Sequence, residues 1–168
     1  SYFAFSAMPA QMNPHDYNAI RNVISLYCIA LDNKDWSLLE RVFARDVIAK
    51  YPFNDEPILG VDALSRRIQQ RLKPVTTQHA LTTQHLLLDT ATAKATTYFT
   101  GVHLGRGKWA GQQVTAYGKY VDELICVSEG QTRNIETEAG ASGVWKIQNR
   151  TVTFFGRVGE EGVMERED

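Results

Sequence analysis

An abrupt change of hydrophobic period near Asp46 constrains this chain more than any other feature. Before it, Ile20, Ile24, Tyr27 and Leu31 recur at steps of four, three and four residues, with Val23 beside them. That spacing lays an apolar stripe along one side of an α-helix, because helical side chains return to the same face every three to four residues. After it, Val47, Ala49, Tyr51 and Phe53 fall on one face, with Ile48 and Lys50 on the other, which is the two-residue period of a strand. Helices first and then a long run of strands make an α+β domain, in which the helical stripes are buried on one face of an antiparallel meander.

The punctuation of the chain agrees with that order. Asn13-Pro14 is a helix start, with Asp16 in the first turn, since Asn caps free amides and Pro suits the first helical position. The stripe ends at Asp32-Asn33, and a second short helix carries Trp36, Leu39 and Phe43. Pro52 makes the first strand an edge or stops it there. A third helix follows Gly60, with Val61, Leu64, Ile68 and Leu72 inward, and ends at Lys73-Pro74. Alternation and turn residues place further strands at 78–88, 92–104, 112–127 and 144–156. Segment 129–143 is polar and Gly-rich and reads as a mobile hairpin tip. Residues 1–12 are apolar but aperiodic, an arm across the domain or a partner. The acidic tail from Gly159 is expected to fray.

At 168 residues, the chain is long enough to bury a core and short enough to be one domain over 1–168. Eighteen Lys and Arg balance nineteen Asp and Glu, which argues against nucleic acid as a partner. The densest basic group, Arg66, Arg67, Arg71 and Lys73, reads as the solvated face of the third helix. Cys28 and Cys126 are the only cysteines; one falls in a helical and one in a strand pattern, so both read as buried small hydrophobes. No run is long and apolar enough to span a membrane, and a soluble, cytoplasmic protein is the default expectation.

The candidates for chemistry are few. His103 follows Ala93, Ala95, Thr97, Phe99 and Gly101 at even spacing, which points it to the covered, concave side of the sheet. His79 and His85 share a face in an unbroken strand, and a bulge between them would separate them. His15 is expected in solvent. Taken singly, each histidine reads first as a surface or satisfied core residue. Asp32 stands at the C-terminal end of the first helix, where the helix dipole disfavours a carboxylate. It either caps the next helix, a task open to Asn33 or Asp35, or has a cationic or hydrogen-bonding partner. A histidine on the facing sheet would be oriented by it in one tautomer. Gly-rich phosphate loops, the nucleophile elbow and the zincin signature are absent. His79, His85 and His103 with Asp32 do not match the spacing of a metal site, so no metal is expected.

Leu31-Asp32-Asn33-Lys34-Asp35-Trp36, then Leu39, Val42 and Tyr51, resembles the scytalone dehydratase and SnoaL-like branch of the nuclear transport factor 2-like superfamily. So do Thr77-Gln78-His79 after the third helix, His103 on the next strand, and Gly143-Val144-Trp145-Lys146-Ile147 on the last. The likeness runs from about Asp16 to Arg157. It implies a cone: a curved mixed or antiparallel sheet closed by three to four helices around a deep pocket, commonly in a dimer or trimer. It further implies cofactor-independent acid–base chemistry, with Asp32, His79, His103 and Tyr51 as catalytic residues: His79 removes a proton, Asp32 orients His103 or His79, the paired histidine His103 returns a proton, and Tyr51 hydrogen-bonds the developing enolate. Tyr27, Phe53, Phe99, Tyr120, Asp122 and Leu124 would contact the substrate. The tyrosine that scytalone dehydratase carries before its aspartate is Leu31 here, and its pocket asparagine falls near Leu124, so a different substrate is expected. The implied class is a lyase or isomerase (dehydratase, isomerase or cyclase) acting on a polyketide- or terpenoid-like intermediate of secondary metabolism. Epoxide hydrolysis on the same scaffold and a non-catalytic ligand-binding or dimerisation module are the alternatives.

Overall fold

The first helix forms where the four-three-four stripe lies. In a computed structural model, which describes residues 12–128 and 138–165, α1 runs His15–Asn33 and buries Ile20, Ile24, Tyr27 and Leu31. The Asn13 carboxamide oxygen accepts the His15 amide at 3.0 Å, so the expected cap is made. Lys34 ends the helix in the left-handed region at φ 58°, with its N–H turned back to Ala30 and Leu31. A short 3-10 turn, Trp36–Leu38, leads into α2, Leu39–Val42. Phe43 does not extend that helix. It opens β1, Phe43–Lys50, and pairs with Ile147.

β1 is followed by the two-residue β2, Ile58–Leu59, and by α3, Val61–Leu72, with Val61, Leu64, Ile68 and Leu72 buried. The rest is an antiparallel meander: β3 Thr76–Leu88, β4 Thr92–Leu104, β5 Gln113–Val127 and β6 Val144–Gly159. The sheet order is β2-β1-β6-β5-β4-β3, with β1 parallel to β6 and every other pair antiparallel. The sheet is therefore mixed and open, and Pro52 marks a strand end, since β2 and β6 flank β1.

Alternation decides which side of the sheet is covered. On β4, Ala93, Ala95, Thr97, Phe99, Gly101 and His103 are all buried, as their even spacing demands. Val47 and Ala49 on β1 are fully buried while Ile48 between them is 41% exposed. α1 and α3 pack their stripes onto this inner face, and the core is the layer between.

The connection from β5 to β6 is tied to the start of α1. Asp16 is buried and accepts the Ser142 amide and hydroxyl, both at 2.8 Å. The remainder of the expected hairpin tip and most of the expected arm at 1–12 lie outside the described residues. The tail departs from expectation. β6 continues to Gly159, and Glu161–Met164 form a 3-10 turn that buries Val163. An apolar side chain inserted into the core holds this segment against fraying through Glu165. Among the described residues, no helix is long and apolar enough to cross a membrane.

Candidate active site

Asp32 lies in the last turn of α1, and β3 passes across it. Its carboxylate accepts three hydrogen bonds: from the Thr77 hydroxyl at 2.9 Å, from the His79 backbone amide at 2.8 Å, and from His79 Nδ1 at 2.7 Å. The unfavourable helix end is thus compensated from the sheet. Burial alone would raise the carboxyl. The side-chain and backbone hydrogen bonds and the charge of His79, with Thr77, outweigh it and hold Asp32 below the usual carboxylate range. When Nδ1–H is donated to the carboxylate, Nε2 of the neutral ring carries the lone pair.

The choice between the two TTQH histidines is made by the backbone. Leu81 pairs with Phe99 but Gln84 pairs with Thr97, so three residues of β3 span two of β4. This bulge inverts the inward parity. His79 consequently stands opposite Gly101 on the inner side, and His85 stands opposite Thr96 and is exposed. Gly101 is part of the arrangement: a Cβ there would meet His79 Cδ2 at 3.2 Å and Nε2 at 3.3 Å, and His103 Cε1 at 3.5 Å.

His103 lies next to His79, with ring centroids 6.0 Å apart and near-perpendicular planes. Its Nδ1 faces the Val114 carbonyl at 3.3 Å, not Asp32. The pairing of Asp32 with His103, one of two options the sequence left open, is therefore not made; β4 is one strand too far from α1. Burial, then the charges of His79 and Arg157, push the His103 imidazole down to about 4. Tyr51, just past β1, shares a hydrogen bond with Tyr27 at 2.9 Å between hydroxyls. Burial raises both phenols.

His79, His103, Tyr27 and Tyr51 meet in a cavity of about 460 Å³, part of it open to solvent, whereas Asp32 does not line it and reaches it only through His79. Tyr27, Tyr51, Phe53, Phe99 and Tyr120 line it along with both histidines. Phe99 stacks on Tyr120 at 4.4 Å. Asp122 and Leu124 do not line it. They follow Tyr120 on the inner face of β5, but past the cavity, where the core closes. Asp122 pairs there with Arg150 of β6, through Nε and Nη2, both at 2.7 Å, and both side chains are fully buried. The Arg150 guanidinium lies 4.2 Å from the ring centres of both Tyr27 and Tyr120. Leu124 packs against Ile147 and Ala93 across its register. No group of three or more potential metal-ligating side chains occurs among the described residues.

Two charged cavity residues were missed. Arg71 and Arg157 line the wall, whereas the basic stretch of α3 reads from sequence as solvated. The signal was available for Arg71, which follows Ile68 by three positions and Leu64 by seven, on the margin of the apolar stripe. Arg157 falls just beyond the expected end of the last strand.

Residues 14–151 match the SnoaL-like domain family. No curated protein sequence matches the chain. Several solved structures share the fold. A Kribbella flavida protein superposes with a TM-score of 0.72 at 14% identity, covering 89% of this chain and 95% of its own. A candidate scytalone dehydratase from Novosphingobium aromaticivorans gives 0.70 at 17% identity, covering 87% and 88%. A type-3 hexachlorocyclohexane dehydrochlorinase from Novosphingobium barchaimii gives 0.65 at 14%, covering 88% and 91%. At these identities the likeness is one of fold, and the fold is one on which lyase-type proteins are built. From the inner-face cavity, the mixed sheet and the match over 14–151, the chain belongs to the SnoaL-like family of the nuclear transport factor 2-like superfamily.

Proposed function

We propose that the protein is a cofactor-independent lyase or isomerase that moves a proton on an apolar polyketide- or terpenoid-like biosynthetic intermediate. The observation that carries this reading is the 2.7 Å contact between the Asp32 carboxylate and His79 Nδ1 at the wall of a partly apolar cavity. A carboxylate so placed fixes the ring's tautomer and stabilises the imidazolium that forms when Nε2 takes a proton. His79 is the base, and removes a proton alpha to a carbonyl. As imidazolium it returns that proton to a leaving hydroxyl, giving dehydration, or to another carbon, giving isomerisation or ring closure.

His103 takes a different part from the proton donor that the sequence suggests. Its depressed basicity keeps it neutral near pH 7. With Nδ1 turned to Val114, its Nε2 accepts a hydrogen bond from a substrate hydroxyl and positions it. Tyr51, backed by Tyr27, donates to the developing enolate oxygen. Self-association belongs to the same reading, supported by an apolar strip on the outer face of the sheet. Tyr98, Tyr117, Val121 and Phe155 are each about 39–56% exposed there.

The test does not require the true substrate. 1-Tetralone, a bicyclic ketone with exchangeable α-protons, is incubated with the protein in D2O and its α-proton signal is followed by NMR. The wild type is expected to accelerate the wash-out. His79→Ala and Asp32→Asn are each expected to lose about 10²–10⁴-fold of that acceleration, with unchanged circular dichroism. Exchange no faster than in buffer, or equal exchange in either variant, would sink the acid–base reading and leave a binding module.

A further inference from the structure

One part of the cavity wall carries more positive charge than the fold consumes. Arg71 on α3 and Arg157 on β6 line the cavity. Arg67 lies one helical turn before Arg71, and their guanidinium carbons sit 4.8 and 4.5 Å from the centre of the Phe53 ring. Arg67 is held by the Phe53 carbonyl at 2.9 Å and by Asn54 Oδ1 at 3.1 Å. Arg157 is held by Glu161 through two bonds of 2.7 and 3.0 Å. Arg71 donates to no group among the described residues and only stacks on Phe53.

Among the described residues, these three guanidiniums therefore share one carboxylate, that of Glu161. The side chains that line the cavity include no acid among the described residues, and Asp32 behind them is committed to His79 and Thr77. The electrostatics agree. Burial, then the charges of Arg157 and Arg67, lower Arg71 to about 10, and Arg157 and Arg71 both act against a charge on His103. A half-buried guanidinium with free N–H groups matches a planar or tetrahedral oxyanion in two-point fashion.

We propose that Arg71, with Arg157 beside it, docks an anionic group, a carboxylate or a phosphate, carried by the compound whose apolar body fills the cavity. This rests on the reading of the cavity as the substrate site, and it narrows the substrate from an apolar intermediate to an amphipathic acid. Arg71 is then the partner that sets which end of the molecule faces the two histidines.

The experiment compares three probes by calorimetry at neutral pH: 2-naphthoate, 2-naphthyl phosphate and the neutral 2-naphthamide. At least one acid is expected to bind about 10- to 100-fold tighter than the amide, the range of a charged hydrogen-bonded contact. The acid with the larger preference names the oxyanion. Arg71→Gln is expected to erase the preference, read as the ratio of acid to amide affinity within that variant, and Arg71→Lys to keep part of it. Glu161→Gln, on the exposed end of its pair, frees Arg157 and is expected to tighten the acids further. That variant carries the test should Arg71→Gln misfold, and unchanged acid binding in it overturns the part given to Arg157. Equal binding of acids and amide, or a preference that survives Arg71→Gln, overturns the anion site and leaves the acid–base reading standing. Binding of none of the three overturns both.

Discussion

Removing the charge of Asp122 is expected to reveal what the buried ion pair beneath the cavity does. Asp122 and Arg150 are each fully inaccessible and joined by two hydrogen bonds of 2.7 Å. Arg150 Nη1 has no partner among the described residues, so the guanidinium depends on this one carboxylate and on the faces of Tyr27 and Tyr120. In Asp122→Asn the arginine remains charged in a site that water does not reach. Breaking a buried pair from one side costs about 3–5 kcal/mol. For a domain of this size each kcal/mol moves the midpoint by about 2–4 °C, so Tm should fall by roughly 6–20 °C. The assay is urea and thermal unfolding followed by circular dichroism, with Asp122→Leu/Arg150→Met alongside. That double variant removes both charges and is expected to be more stable than Asp122→Asn, because no ion is left unpaired. A loss below about 1 kcal/mol in Asp122→Asn, or a double variant less stable than the single one, would refute the claim that charge compensation holds this site.

Three further outcomes follow from the same geometry. His103 sits at about 4 when folded against an ordinary 6.5; between these values the unfolded chain takes up a proton that the native state does not. Stability is therefore full above pH 6.5 and falls as the pH drops toward 4, by up to roughly 3 kcal/mol, and the difference in urea midpoint between wild type and His103→Gln should shrink over that window; a constant difference would contradict the sign. Gly101→Ala places a methyl against the His79 and His103 rings, and is expected to cut 1-tetralone exchange by about 10²-fold while unfolding near the wild-type midpoint; undiminished exchange would show that the ring positions are not critical. On the outer face, where Tyr98 and Phe155 pack at 5.1 Å, the double variant Tyr98→Lys/Phe155→Lys should convert an oligomer to a monomer in light scattering, and a wild type that is already monomeric would refute self-association.

Much of the scaffold is legible in single residues. The stripe from Ile20 to Leu31 specifies α1 because burial along a helix is a local, periodic requirement, and the same holds for Leu64 and Ile68 on α3. β4 falls at 92–104 as read, and the parity that turns His103 inward is a property of the strand itself. Phe99 and Tyr120 reach the cavity wall for the same reason, and Tyr27 reaches it from the stripe of α1.

Partners and registers are a different matter, since they depend on residues far apart in the chain. Asp32 meets His79 across 47 positions, and Asp122 meets Arg150 across 28; each alternative was open until the strands were paired. The bulge between Leu81 and Gln84 sent His79 inward and His85 outward, and no local period in Thr-Thr-Gln-His distinguishes the two copies. Arg71 reads as solvated on its own helix and becomes a cavity residue only because β6 and Phe53 come up against that side. Periodicity alone determined which faces are buried; tertiary pairing decided which charges face one another, because Coulomb and hydrogen-bond partners are chosen by distance in space.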